Sequence, residues 1–146
     1  MARLEPSTRA DHPVQRACQV RWGDVDVYGH VNNVVYLAYF DTAVNGWYVD
    51  EGLLRPGEPV FLVAQTGAQF FAEIRFGQAV TCGIAVERLG RTAVTYDLAL
   101  FRDDEDAACA RGRYTHVLCD ARTRRPVPIE GRHRAVLERA VSERPA

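Results

Sequence analysis

Residues 21 to 43 read Arg21-Trp22-Gly23-Asp24-Val25-Asp26-Val27-Tyr28-Gly29-His30-Val31-Asn32-Asn33-Val34-Val35-Tyr36-Leu37-Ala38-Tyr39-Phe40-Asp41-Thr42-Ala43, and they hold the side chains best suited to chemistry. Two carboxylates, a glycine, a histidine and an Asn-Asn pair fall between Asp24 and Asn33, directly before an apolar run. A purely structural loop rarely requires that set. A carboxylate placed there can act as a general base or as a nucleophile, and Asp26 reads as the reactive one. The apolar run has helical character, and the first turn of a helix presents unsatisfied N–H groups and a partial positive charge. An oxyanion forming near Asn33 and Val34 would therefore meet ready donors. Asp24 reads as a loop-ordering acid. Asp41, in mid-helix, is expected to pair with an arginine or to bind backbone.

Those residues need elements to hold them. Val14 to Trp22 alternates roughly between apolar and polar positions, with Arg16 out of place on the apolar side, and predicts a first strand. Gly23 to Asn32 is a loop, and Asn32 or Asn33 should cap the helix that follows. That helix is expected over Asn33 to Glu51, ending at Gly52, about 30 Å long and apolar on most faces, so that it should be buried nearly all round. Pro59 to Phe76 predicts a strand with a bulge or a close backbone approach at Gly67. Ala79 to Arg88 and Thr92 to Arg102 predict a hairpin turning at Leu89-Gly90-Arg91. After the acidic turn Asp103 to Asp106 comes a long strand, Ala107 to Asp120, and then a proline-bearing exit. Gly131 to Glu143 predicts a short amphipathic helix. The expected fold class is α+β, an antiparallel sheet curled around one long central helix. Its open edges argue for pairing with a second copy.

The 146 residues, 47% of them hydrophobic, suit a single domain at 14–143 behind a loose, flexible tail at 1–13. A net charge of -1 gives no reason to expect nucleic acid or an anionic membrane as partner. No apolar run approaches the roughly 18 residues of a membrane span. All 18 basic residues are arginine, which weakens any single arginine as a sign of anion binding. The cysteines, Cys18, Cys82, Cys109 and Cys119, show no C-x-x-C spacing and read as free thiols in a reducing, cytoplasmic compartment. His116 reads as a core or interface histidine, His12 and His133 as peripheral. No spacing fits a zinc pattern, so no metal is expected.

The run from Gly23 to Ala43 resembles the signature of hotdog-fold acyl-CoA thioesterases of the 4-hydroxybenzoyl-CoA thioesterase type, in which an Asp-x-Asp-x-x-Gly-His-Val-Asn-Asn loop leads into the central helix. The likeness continues through Phe76-Gly77, Arg88-Leu89-Gly90-Arg91-Thr92 and Arg125-Pro126-Val127-Pro128. It implies a hotdog fold and hydrolysis of an acyl-CoA to the acid and free CoA. Asp26 would be base or nucleophile, and the backbone N–H of Asn33 the oxyanion donor. Gly29, His30 and Val31 would shape the substrate side of the loop, with His30 divided between substrate contact and loop support. Tyr36 would line the acyl slot, and Gln65, Thr66 and Gly67 would come across a subunit interface. Arg88, Gly90, Arg91, Arg124 and Arg125 would meet the CoA phosphates. The resemblance implies no cofactor beyond the CoA of the substrate, and a homodimer or homotetramer. Hydrolysis of carrier-protein thioesters and non-catalytic acyl-CoA binding remain as alternatives.

Overall fold

The helix at the centre starts where its cap predicts. In the computed structural model, which describes residues 2–143, the Asn32 side chain accepts the Val34 N–H at 3.0 Å and α1 runs Asn33–Asp50. Around it lie β1 (Val14–Cys18), β2 (Val60–Phe70), β3 (Val80–Leu89), β4 (Ala93–Arg102) and β5 (Ala110–Cys119), followed by α2 (Gly131–Glu138). The strands form one antiparallel five-stranded sheet in the order β1-β3-β4-β5-β2. The fold is therefore α+β, as the pattern of elements predicts.

One side of α1 packs on the sheet through Tyr36, Tyr39, Phe40, Ala43, Val44, Trp47 and Tyr48. Phe40 sits over Gly112 of β5, where a Cβ would lie 2.7 Å from the ring and 2.9 Å from the Gly67 carbonyl. The Tyr114 hydroxyl donates to the Leu37 carbonyl at 2.7 Å and fixes the same crossing. Arg16 explains its place on the apolar side of β1: its guanidinium lies over Gly46 of α1 and pairs with Asp50. The expectation of a helix buried all round is corrected. Val34, Ala38, Thr42 and Val49 are exposed along a second stripe, because a single sheet covers only one side of the helix.

Several boundaries differ from the expected ones, each for a local reason. β1 stops at Cys18, not Trp22, because Cys18 already faces Val80, the first residue of β3. Trp22–Asp24 is instead a 3₁₀ turn. β2 ends at Phe70, not Phe76, because the N–H groups of Phe71 and Ala72 both turn onto the Cys109 carbonyl. The bulge in β2 falls between Val63 and Gln65, not at Gly67, and a second lies between Val86 and Arg88 in β3. The close backbone approach lies at Gly112, where a Cβ would meet the Gly67 carbonyl. α2 ends at Glu138 because the following residues pair alongside β3, Val86 N–H donating to Ala140 O and Ser142 N–H to Val86 O. Asp41 bonds to Asn45, not to an arginine.

The expected tail is tied to the sheet at several points, with Gln69 of β2 bonding to Ala2 and Leu4, and Thr8 bridging to Ala107; Met1 falls outside the described residues. Leu4 and Ser7 are buried, and Arg111 donates to the Glu5 carbonyl at 2.7 Å. His12 is buried rather than peripheral and bonds to the Ser7 hydroxyl at 2.9 Å. His133, on α2, packs against Phe61.

His116 is a core histidine. It is 1% exposed, with Nδ1 3.1 Å from the Tyr48 hydroxyl and Nε2 without a partner among the described residues. Burial pushes its pKa down from 6.5 to about 4. Between pH 6.5 and 4 the unfolded chain therefore takes up a proton that the folded chain refuses. The stability contributed by neutral His116 is complete above pH 6.5 and is lost as pH falls through that window, by about 2.5 kcal/mol at pH 4.5. Chemical denaturation of His116→Phe between pH 7.5 and 4.5 should give a correspondingly flatter stability curve than the parent; equal slopes would contradict the assignment.

Candidate active site

The loop between the 3₁₀ turn and α1 is closed by three hydrogen bonds. Asp26 N–H donates to the His30 carbonyl at 3.1 Å, Gly29 N–H to the Asp26 carbonyl at 3.1 Å, and Tyr28 N–H to Asp26 Oδ1 at 2.9 Å. Gly29 has φ +83°, a left-handed value that glycine adopts without strain. Asp26 is half-buried, with one oxygen engaged by the loop. The base of the loop is pinned on both sides. Val31 N–H donates to Ile74 O at 2.8 Å, and Asn32 N–H to Asp24 O at 2.9 Å.

Asn33 follows directly. The cap side chain takes the Val34 N–H and the Asn32 carbonyl takes the Val35 N–H, so the Asn33 N–H has no acceptor among the described residues. The loop thus places a half-buried carboxylate and an unused backbone donor seven residues apart in sequence at one helix start. That pair of groups can activate water or attack an electrophile, and stabilise an oxyanion.

Asp24 is the other acid, and its surroundings are those of a brace. It is 4% exposed, and Oδ2 accepts both the Arg21 N–H and the Tyr39 hydroxyl at 2.8 Å. Burial pushes its carboxyl upward, but these hydrogen bonds and the Arg21 guanidinium, 3.3 Å away, outweigh it and hold the group below its ordinary range. The Tyr39 hydroxyl is raised well above its ordinary value, by burial first and then by Asp24. His30 is half-buried, with Nδ1 bonded to the Val31 carbonyl at 3.2 Å, Nε2 3.9 Å from Glu73 and its ring stacked on Tyr28. Those contacts favour loop support.

Tyr36 does not line an open slot in the single chain. It is 2% exposed, packs edge-on against Phe70 and accepts the Ile74 N–H at 3.2 Å. The sequence offers Tyr39 only as one of several core or acyl-slot candidates, not as a partner of the loop, and gives no sign of Ile74. The usable signal was that a buried tyrosine hydroxyl needs a partner, and the loop is what α1's first turns face.

Gln65, Thr66 and Gly67 lie on β2, a sheet edge. Gln65 shares a groove of about 470 Å³ with Arg88, Gly90 and Arg91 of the β3–β4 hairpin, and with Thr95 and Thr115. Arg124 and Arg125 sit in the turn after β5, at the same sheet end as the hairpin, where Leu118 N–H donates to Thr92 O. Arg88, Arg91, Arg124 and Arg125 have no carboxylate partner among the described residues, whereas Arg21, Arg75, Arg102, Arg111, Arg113, Arg132 and Arg139 each do. This end of the sheet is opposite the Asp26 loop, which contacts the chain just beyond Phe70. Within one chain, then, the loop residues come together and the hairpin residues come together, but the two groups stay apart. Among the described residues no cluster of three or more His, Cys, Asp or Glu is placed to hold a metal ion, and no helix is long and apolar enough to cross a membrane.

The family model described as the thioesterase-like superfamily matches residues 20–139. A protein of known structure from Pseudomonas aeruginosa is 40% identical, with a TM-score of 0.91 over 94% of this chain and 98% of that one. A thioesterase from Thermus thermophilus, solved with coenzyme A and zinc, is 29% identical at a TM-score of 0.72, covering 88% of this chain and 97% of that one. A 1,4-dihydroxy-2-naphthoyl-CoA thioesterase from Synechocystis shares the fold, with 18% identity and a TM-score of 0.75 over 84% and 93% of the two chains. No curated protein matches the chain.

Proposed function

The chain belongs to the thioesterase-like superfamily, whose chemistry is the hydrolysis of thioesters, and on that premise we propose that it hydrolyses an acyl-coenzyme A to the free acid and CoA. The observation that carries this reading is the hydrogen-bonded loop closed onto the start of α1, which carries both the Asp26 carboxylate and the free Asn33 N–H. The thioester carbonyl oxygen accepts the Asn33 N–H, with the helix start favouring its developing charge. Asp26 either takes a proton from the water that attacks the carbonyl carbon, or attacks it directly to form an anhydride that water then opens. In both routes the C–S bond breaks and CoA leaves as the thiol.

CoA as the carrier is supported by the unpaired arginines at the hairpin and after β5, which suit phosphate groups. These lie far from Asp26 in their own chain, and a homodimer resolves the separation. β2 is a long edge strand with Leu62, Val63 and Phe70 at 39%, 49% and 45% exposure, and α1 has its open stripe. Pairing two β2 edges antiparallel about a two-fold axis sets the Val60 end of one chain beside the Phe70 end of the other. The arginine end of one chain then serves the Asp26 loop of its partner. The free thiols suit a cytoplasmic location.

The test is thiol release from a panel of acyl-CoAs, with matched acyl carrier protein thioesters and N-acetylcysteamine thioesters beside them. The R88A/R91A pair should raise KM for acyl-CoA about tenfold, more so at low salt, and leave KM for the phosphate-free N-acetylcysteamine thioester unchanged. Release from carrier-protein thioesters alone would replace CoA as the substrate carrier. Binding of acyl-CoA in calorimetry with no release from any thioester would make the chain a binding module.

A further inference from the structure

The first turns of α1 carry two tyrosines whose hydroxyls reach out of the helix to the two flanks of the Asp26 loop. On one side Tyr36 accepts the Ile74 N–H, and Ile74 O accepts the Val31 N–H. On the other, Tyr39 donates to Asp24 Oδ2 at 2.8 Å, and Asp24 O accepts the Asn32 N–H at 2.9 Å. Only the second path goes through a side chain whose position depends on a phenol. Asp24 and Tyr39 are both buried, at 4% and 7% exposure, so water does not substitute freely for the bond. Asp24 also accepts the Arg21 N–H at 2.8 Å, which closes the turn entering the loop. Asp24 therefore joins the entry of the loop to the helix that carries the Asn33 donor through one carboxylate oxygen, and holds the exit of the loop through its backbone carbonyl.

We propose that Tyr39 is a positioning residue for the reaction: acting through Asp24, it sets the separation between the Asp26 carboxylate and the Asn33 N–H. This rests on the thioesterase reading. Tyr39 touches neither substrate nor the reacting atoms; its work is to hold two groups at a fixed spacing, where small displacements cost rate rather than affinity. The role assigned to Asp24 is likewise geometric. An asparagine there keeps one carbonyl oxygen to accept both the Arg21 N–H and the Tyr39 hydroxyl, and loses only the contact to the exposed Arg21 guanidinium.

The experiment compares Tyr39→Phe, Asp24→Ala and Asp24→Asn in thiol-release kinetics, with amide hydrogen exchange on the same proteins. Tyr39→Phe and Asp24→Ala should each lower kcat about tenfold, with KM within about twofold of the parent. The double variant should be no slower than Asp24→Ala alone, because both changes cut one link. Asp24→Asn should recover most of the lost kcat. Amides from Asp24 to Asn32 should exchange faster in Tyr39→Phe, while those in β3 and β4 do not. Unchanged kcat and unchanged exchange in Tyr39→Phe would overturn the proposal, as would an Asp24→Asn as slow as Asp24→Ala, which would give that acid a role of its own through charge. If the parent releases thiol from no thioester, the thioesterase reading fails and the exchange data alone decide: loop amides that remain protected without the phenol sink the positioning role.

Discussion

Asp26→Asn should lower kcat for thiol release by at least about a hundredfold, the scale of a lost general base. The fold should survive it, since an asparagine oxygen still accepts the Tyr28 N–H that Asp26 Oδ1 holds at 2.9 Å. Thermal unfolding midpoints of parent and variant should therefore agree within about two degrees, which separates lost chemistry from lost structure. KM should change little, because the amide and the carboxylate occupy the same volume beside the substrate. Thiol release that persists undiminished would remove Asp26 from the reaction and with it the division of labour proposed for the loop. The contrast with Asp24→Asn is diagnostic: two acids two residues apart respond oppositely to the same isosteric change, one by losing the reaction and the other by keeping it.

The largest effect on stability is expected at Gly112. A Cβ there would sit 2.7 Å from the Phe40 ring and 2.9 Å from the Gly67 carbonyl. The ring belongs to a fully buried side chain and the carbonyl to a paired strand, so neither neighbour can give way cheaply. Gly112→Val should cost about 3 kcal/mol, the upper range for overpacking, read as a lower denaturation midpoint in urea. Gly112→Ala should fall between. A stable Gly112→Val would mean that α1 rides higher on the sheet than the Tyr114 to Leu37 bond indicates.

Much of this architecture is legible in the sequence, and the reasons are specific. α1 is marked by an Asn cap, a proline-free apolar run and a glycine just past its end, all local signals. Strand existence followed from alternation, and hairpin β3–β4 from Gly90. What could not be read depends on partners distant in sequence. β1 ends at Cys18 because β3 begins at Val80, and no feature near Cys18 says so. His12 is buried because Ser7 and Phe101 come to it. The open stripe on α1 reflects how much sheet is available, not the helix composition. In the candidate site, the contiguous loop residues were legible as a group. The Tyr39 to Asp24 brace was not, since it needs the helical pitch and the loop path together. Nor was the distance between the hairpin arginines and Asp26, which is set by strand direction.

The bulge in β2 has a bearing on which face each side chain takes. Val63 pairs with His116, which points into the core, and two residues later Gln65 pairs with Thr115, which points away. Ala64 is the extra residue that resets the phase of the strand, so that Phe61 and Val63 before it and Thr66, Ala68 and Phe70 after it all address the helix side. β3 changes phase in the same way at Glu87, and the two resets leave Gln65, Thr115, Thr95 and Arg88 in a single row across four strands. Deleting Ala64 would remove the bulge and join Val63 to Gln65 in plain alternation, with Phe70 still on the helix side; keeping Ala64 in a strand paired without the bulge would instead turn Phe70 to water and Gln69 to the core. The bulge that sets one small residue outside the ladder keeps both halves of the strand in step with the helix they serve.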